Sequence, residues 1–170
     1  MTKGKTVLRA EPGKQEVLVT REFDAPRELV FKAFTDPKLY IQWLLGPKEQ
    51  GLVMKLDKFE PTAGGAWRFI YTDKEGTEKF AFHGSYHDVV APERIVDTFE
   101  IEGLPGSQVS LETRVFEEPQ PGRTKLTMQF VFQSVAGREG WLQSGAEAGL
   151  VDDFERLEEL LREAKAKAVP

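Results

Sequence analysis

Residues 142–161 read LQSGAEAGLVDDFERLEELL. Leu142, Ala146, Leu150, Phe154, Leu157 and Leu161 recur at three or four residues and charged side chains fill the positions between, the pattern of an amphipathic helix with one face on a core. The stretch predicts one long helix. Its start is left open, because Gly137 and Gly140 weaken the preceding turns and Ser144-Gly145-Ala146-Glu147 offers a second capping box. The acidic residues Asp152, Asp153, Glu155, Glu158, Glu159 and Glu163 read as its solvated surface, not as a calcium loop.

What this helix covers lies upstream. From Gly51 to Ser134 the apolar period is two, and turn signals at 61–65, 73–76, 91–93, 103–106 and 119–122 separate about six strands. The inward residues are expected to be Trp67, Phe69 and Tyr71; Phe80, Phe82 and Tyr86; Ile95, Asp97, Phe99 and Ile101; Val109, Leu111, Thr113 and Val115; and Leu126, Met128, Phe130 and Phe132. Arg68, Glu100, Glu112, Arg114, Lys125, Thr127 and Gln129 then face water, and the short connections make the sheet antiparallel. Before it, Glu16 to Phe23 alternates as a strand with Val17, Val19 and Phe23 on one side. Asp24 is expected to cap a short helix that has Pro26 in its first turn, and a second short helix runs from Pro37 to the stop at Gly46-Pro47.

The chain has 170 residues and no cysteine, with 40% hydrophobic and 30% charged residues, which suits one domain able to bury a core without staples. Residues 1–15 read as a flexible segment and 16–168 as the domain. No apolar stretch is long enough for a membrane span, and no secretory signal is evident, so the expected location is the cytoplasm. A net charge of −5 with scattered basic residues argues against a nucleic-acid partner. Without thiols there is no cysteine nucleophile or thiolate metal site, and nothing points to a metal or an organic cofactor.

The order of one strand, two short helices, about six antiparallel strands and a long helix resembles the α+β helix-grip fold, a curved antiparallel sheet of about seven strands wrapped around the last helix. The segment from Phe23-Asp24-Ala25-Pro26 to Phe31 is one part of the match, with Thr35-Asp36-Pro37 and Trp43 with Gly46-Pro47 following. Gly64-Gly65-Ala66-Trp67, Gly84-Ser85-Tyr86, Pro92-Glu93-Arg94-Ile95-Val96 and the 142–149 stretch complete it. Together they are similar to the START-like (SRPBCC) superfamily, and within it to the family homologous to the activator of the ninety-kilodalton heat-shock protein's ATPase. The eukaryotic activator carries a separate N-terminal domain that also engages the chaperone, and 170 residues leave no room for one, so the resemblance implies the fold before it implies chaperone activation.

The resemblance implies a cavity between sheet and last helix. Trp43, Trp67, Phe69, Tyr71, Phe82, Tyr86, Asp97, Phe99, Phe130, Leu142, Gly145 and Gly149 are its candidate ligand-binding residues. Gly145 and Gly149 are four apart on one expected helix face, where either close packing of the sheet backbone or room for a ligand would offset their cost. Asp97 interrupts an apolar series, and a carboxylate facing a cavity would have a raised pKa, but a register change placing it in water is the preferred reading. Glu147 reads as a solvated helix carboxylate, with ligand binding as the alternative. His83 and His87 sit four apart on a strand, about 13 Å, too far to share a metal, and read as surface residues.

The expected function is therefore binding of a small hydrophobic or amphipathic molecule, with no catalytic residues required. A chaperone-assisting interaction protein and a cyclase- or dehydratase-type enzyme using the same cavity are the other two readings.

Overall fold

The computed structural model describes residues 5–104, 106 and 109–168. Pro105, in the expected turn at 103–106, and residues 1–4 of the N-terminal segment lie outside the described residues. Eight strands form one antiparallel sheet: β1 (Val7–Arg9), β2 (Glu16–Phe23), β3 (Val53–Phe59), β4 (Ala66–Thr72), β5 (Glu78–Val90), β6 (Arg94–Ile101), β7 (Ser110–Gln120) and β8 (Arg123–Val131). Helices α1 (Arg27–Thr35) and α2 (Pro37–Trp43) follow β2, and α3 (Val135–Gln143) and α4 (Ala146–Ala168) follow β8. This is the expected α+β helix-grip architecture.

The spatial order is β1-β2-β8-β7-β6-β5-β4-β3. From β3 to β8 each strand lies beside the next in sequence, while β2 joins the far side of β8 with Glu16 opposite Val131. The α1–α2 connection therefore carries the chain from one side of the sheet to its opposite edge. Apolar residues from both layers meet between sheet and helices: Phe23 of β2 lies edge-on to Phe154 of α4 at 5.7 Å, and Phe31 and Phe34 of α1 each lie 5.2 Å from Phe116 of β7.

The eighth strand, one more than expected, is β1, where Val7–Arg9 pairs with residues 18–20 of β2. Three residues are too few for alternation to register. Asp24 does not cap α1: Pro26 holds the N-cap position without a side-chain bond, and Pro26 O accepts from the Leu29 and Val30 amides. Asp36 does cap α2, accepting from the Lys38 amide at 2.9 Å, with Pro37 in the first turn.

The C-terminal helix is two helices. Gly145 takes φ +83°, a left-handed conformation that ends the first and turns the chain into the second. Gly145 and Gly149 consequently do not share a helix face as expected.

The largest departure is in β7. The structure buries Ser110, Glu112, Arg114 and Phe116, not Leu111, Thr113 and Val115, and leaves Leu111 44% exposed. Directly opposed residues of an antiparallel pair share a face, and Glu112 lies opposite Phe130 and Arg114 opposite Met128, so both charged residues are carried into the core. Asp97, opposite Glu112, goes with them and is buried, contrary to the preferred solvent placement. Arg21 of β2 and Asp153 of α4 are likewise buried, and Asp153 does not belong to the solvated acidic surface.

Candidate functional site

Tertiary packing between sheet and helices is incomplete. A cavity of about 790 Å³ lies between β4–β8, α2 with the segment after it, and α3–α4. It is within the size range of small-molecule sites, roughly 300–1,000 Å³. Its sheet wall is largely aromatic: Phe69, Tyr71, Phe80, Phe82, Phe99, Phe130 and Phe132, with Phe34, Tyr40 and Trp43 from the first two helices. The helical wall opposite is built mainly from small residues, Ala136, Gly137, Gly140, Ser144, Gly145, Ala146 and Gly149, with Trp141, Leu150 and Phe154 among them. Rings facing small side chains leave the space unfilled.

Eight of the twelve expected ligand-binding residues line this space: Trp43, Phe69, Tyr71, Phe82, Phe99, Phe130, Gly145 and Gly149. Trp67, Tyr86, Asp97 and Leu142 do not. Trp67 is stacked on Phe69 at 4.7 Å, Tyr86 packs edge-on to Phe59 at 6.4 Å, and Leu142 is half-buried on α3 away from the lining. Gly149 lines the cavity, and the close approach there is not by the sheet. A Cβ there would lie 3.1 Å from Pro47 Cδ, so its role is close approach of the segment after α2 rather than of the sheet.

That segment forms a wall of the cavity and is fastened to α4. Asp153 Oδ1 accepts from the Leu45 and Gly46 amides at 2.8 and 2.7 Å and from Arg156 at 3.0 Å. Arg156 also donates to Gly46 O, and Tyr71 Oη donates to Leu44 O, each at 2.8 Å. Burial raises the Asp153 carboxyl to about 7, against the lowering effect of these donors.

Polar groups are also set into the sheet wall. Arg114, Glu112 and Ser110 of β7 line the cavity. One guanidinium terminus of Arg114 bonds Asp97 Oδ1 and the other bonds Glu112 Oε2 at 2.5 Å. Trp67 Nε1 donates to Asp97 Oδ2 at 3.1 Å, and Ser110 Oγ lies 3.4 Å from Glu112 Oε1. Burial works against the Arg114 charge, but its two carboxylates more than offset this and hold its pKa above the ordinary value. Burial raises Asp97, although Arg114 and Trp67 oppose the rise. It raises Glu112 to about 7, with Asp97 adding to the effect and Arg114 opposing it.

Sequence reasoning missed Ser110, Glu112, Arg114 and Asp153. For β7 a signal existed, since Phe116 is in phase with Arg114, Glu112 and Ser110; four neutral or apolar residues on the other phase, Val109, Leu111, Thr113 and Val115, outweighed it. For Asp153 the signal was its spacing from Leu150 and Leu157, three and four residues away on the buried stripe.

Glu147 is exposed, as are His87 and nearly half of the His83 side chain, whose ring nitrogens contact Glu100 and Glu102 at 3.1 and 3.0 Å. Among the described residues no three His, Asp or Glu side chains are grouped to hold a metal, and no helix is long and apolar enough to cross a membrane.

Solved structures with this fold include a protein of Arthrobacter aurescens, 22% identical, with a TM-score of 0.80 over 92% of this chain and 91% of that one. A Rhodobacter sphaeroides protein is 23% identical, with a TM-score of 0.76 over 92% and 99%. A Staphylococcus epidermidis protein is 25% identical, with a TM-score of 0.75 over 91% and 93%. No curated protein matches. Residues 24–162 match the family described as "Activator of Hsp90 ATPase homolog 1-like protein".

Proposed function

Because the chain belongs to the family of activator of Hsp90 ATPase homolog 1-like proteins, a START-type family, we propose that it binds a small hydrophobic or amphipathic molecule between its sheet and its last two helices. The observation that carries this reading is the cavity of about 790 Å³, walled by rings on one side and by small residues on the other. Apolar burial supplies the affinity. A ligand covering about 300 Å² of apolar surface gains roughly 7 kcal/mol at about 25 cal/mol per Å², before the losses of association. Orientation comes from the few polar groups on the wall, Tyr71, Ser110, Glu112, Arg114, Ser144 and Asp153.

The test is native mass spectrometry of the freshly purified protein, followed by titration of lipids and aromatic compounds against intrinsic fluorescence. A retained small molecule, or saturable binding of added ones, is expected. A bare chain that no compound in a broad set saturates refutes the reading.

The family description also favours an interaction with a heat-shock chaperone. The ATPase rate of the host's chaperone should then change on adding this protein, and an unchanged rate removes that reading. A Glu112 carboxyl held near neutrality at the cavity wall favours acid–base chemistry of cyclase or dehydratase type. Turnover of a bound compound that Glu112→Gln abolishes would establish it.

A further inference from the structure

The charges on the cavity wall are unequal in number and in how far they are already engaged. Among the described residues Arg114 is the single buried cation on the lining, and both of its terminal nitrogens are bound, one to Asp97 and one to Glu112. Its Nε has no partner among the described residues, but that atom is sealed from any probe the size of water and cannot meet a ligand. The face of the Phe34 ring lies 5.9 Å from the guanidinium carbon. An entering anion would thus find a cation already neutralised by two carboxylates.

The carboxylates on the lining are differently placed. Glu112 gives Oε2 to Arg114, while its Oε1 has only the 3.4 Å contact with Ser110. Asp153, 95% buried, takes all three of its hydrogen bonds on Oδ1, from the Leu45 and Gly46 amides and from its ion-pair partner Arg156, and its Oδ2 has no hydrogen-bond partner among the described residues. The wall therefore presents acceptor oxygens with spare capacity and no cation free to offer. Around them are aromatic rings, whose faces attract cations through their quadrupoles and give anions no such benefit.

Building on the ligand-binding reading above, we propose that the cavity selects amphiphiles with a cationic, hydrogen-bond-donating head, an aliphatic or aromatic amine, over those with a carboxylate. The hydrophobic body lies among Phe69, Phe82, Phe99 and Phe130, and the ammonium donates to Asp153 Oδ2 or Glu112 Oε1. A fatty-acid carboxylate would meet these same oxygens by charge repulsion in a poorly solvated space.

The experiment compares dodecylamine, dodecanol and dodecanoate as competitors for the neutral dye Nile red on the full chain at about pH 8, where the amine is protonated. The chains are matched, so differences report the head. The amine is expected to displace the dye at a concentration at least about tenfold lower than the carboxylate, with the alcohol between them. Glu112→Gln and Asp153→Asn are tested beside the parent, with circular dichroism to check folding; if one does not fold, the other still serves. At least one should bring the amine-to-carboxylate ratio towards unity. A carboxylate that competes as well as the amine overturns the proposal and leaves the binding reading intact. An amine preference that survives in every folded variant overturns the assignment to these carboxylates. Failure of the dye and all three competitors to bind saturably overturns both readings.

Discussion

Replacing Glu112 by glutamine removes a buried charge while keeping the side chain's shape, and its consequence for stability depends on pH. The folded protein raises this carboxyl from 4.5 to about 7, chiefly through burial. The folded state therefore holds the proton more tightly than the unfolded chain does. Its contribution to stability is fully present below about pH 4.5 and is lost as the pH rises through 7. Integrated over two-state proton binding, a rise of this size costs the parent on the order of 2–3 kcal/mol between pH 5 and pH 8. Glu112→Gln lacks that loss and leaves Arg114 paired with Asp97. Asp153, raised in the same direction, is present in both proteins and cancels in the comparison. Urea unfolding of parent and variant at several pH values between 5 and 8 measures the difference directly. The variant's stability should fall less steeply with pH, by on the order of 2–3 kcal/mol over that range. Parallel curves would refute the reasoning, because they would mean that Glu112 feels the same environment folded and unfolded.

Gly84→Ala places a Cβ 1.9 Å from Thr98 O and 2.7 Å from the Trp67 ring, so urea unfolding should show a loss of at least about 2 kcal/mol. Gly140→Ala, within α3 and with nothing inside 4 Å of its Cβ, should instead gain up to about 1 kcal/mol. Asp153→Ala strands the Leu45 and Gly46 amides and should lower stability by about 2–4 kcal/mol, with faster hydrogen exchange at those two amides. Of the three tryptophans, Trp43 and Trp141 line the cavity and Trp67 does not. Ligand-induced fluorescence change should therefore shrink in Trp141→Phe, and an undiminished signal would place the ligand elsewhere.

The element order could be read from sequence because it rests on period and punctuation. The alternation of β2, the Asp36-Pro37 start of α2 and the stripe from Leu150 to Leu161 are local signals, and each appears in the structure as read. The aromatic side of the site was legible for the same reason, since Phe69, Phe82, Phe99 and Phe130 alternate within strands. Its polar side was not. Whether Glu112 and Arg114 turn inward depends on their pairing with Phe130 and Met128 on β8, a register that the local sequence of β7 argues against. A buried cation between two carboxylates violates the rule that charge faces water, and only the three partners together satisfy it. The second start at Ser144-Gly145-Ala146-Glu147 was legible only as an alternative, because small residues on either side of Gly145 continue the helical spacing.

The strand order also governs how the molecule assembles and comes apart. From β3 to β8 every pairing joins neighbours in sequence, whereas the seam between β2 and β8 joins distant ones, as in the bond from Gln129 to Glu16 across 113 positions. Loop-closure entropy is concentrated at that seam. The meander can form before β2 arrives, and β2 then docks onto a sheet already built. Truncating Val19, which is 1% exposed in the middle of this strand, should accordingly accelerate unfolding far more than it slows folding in chevron measurements.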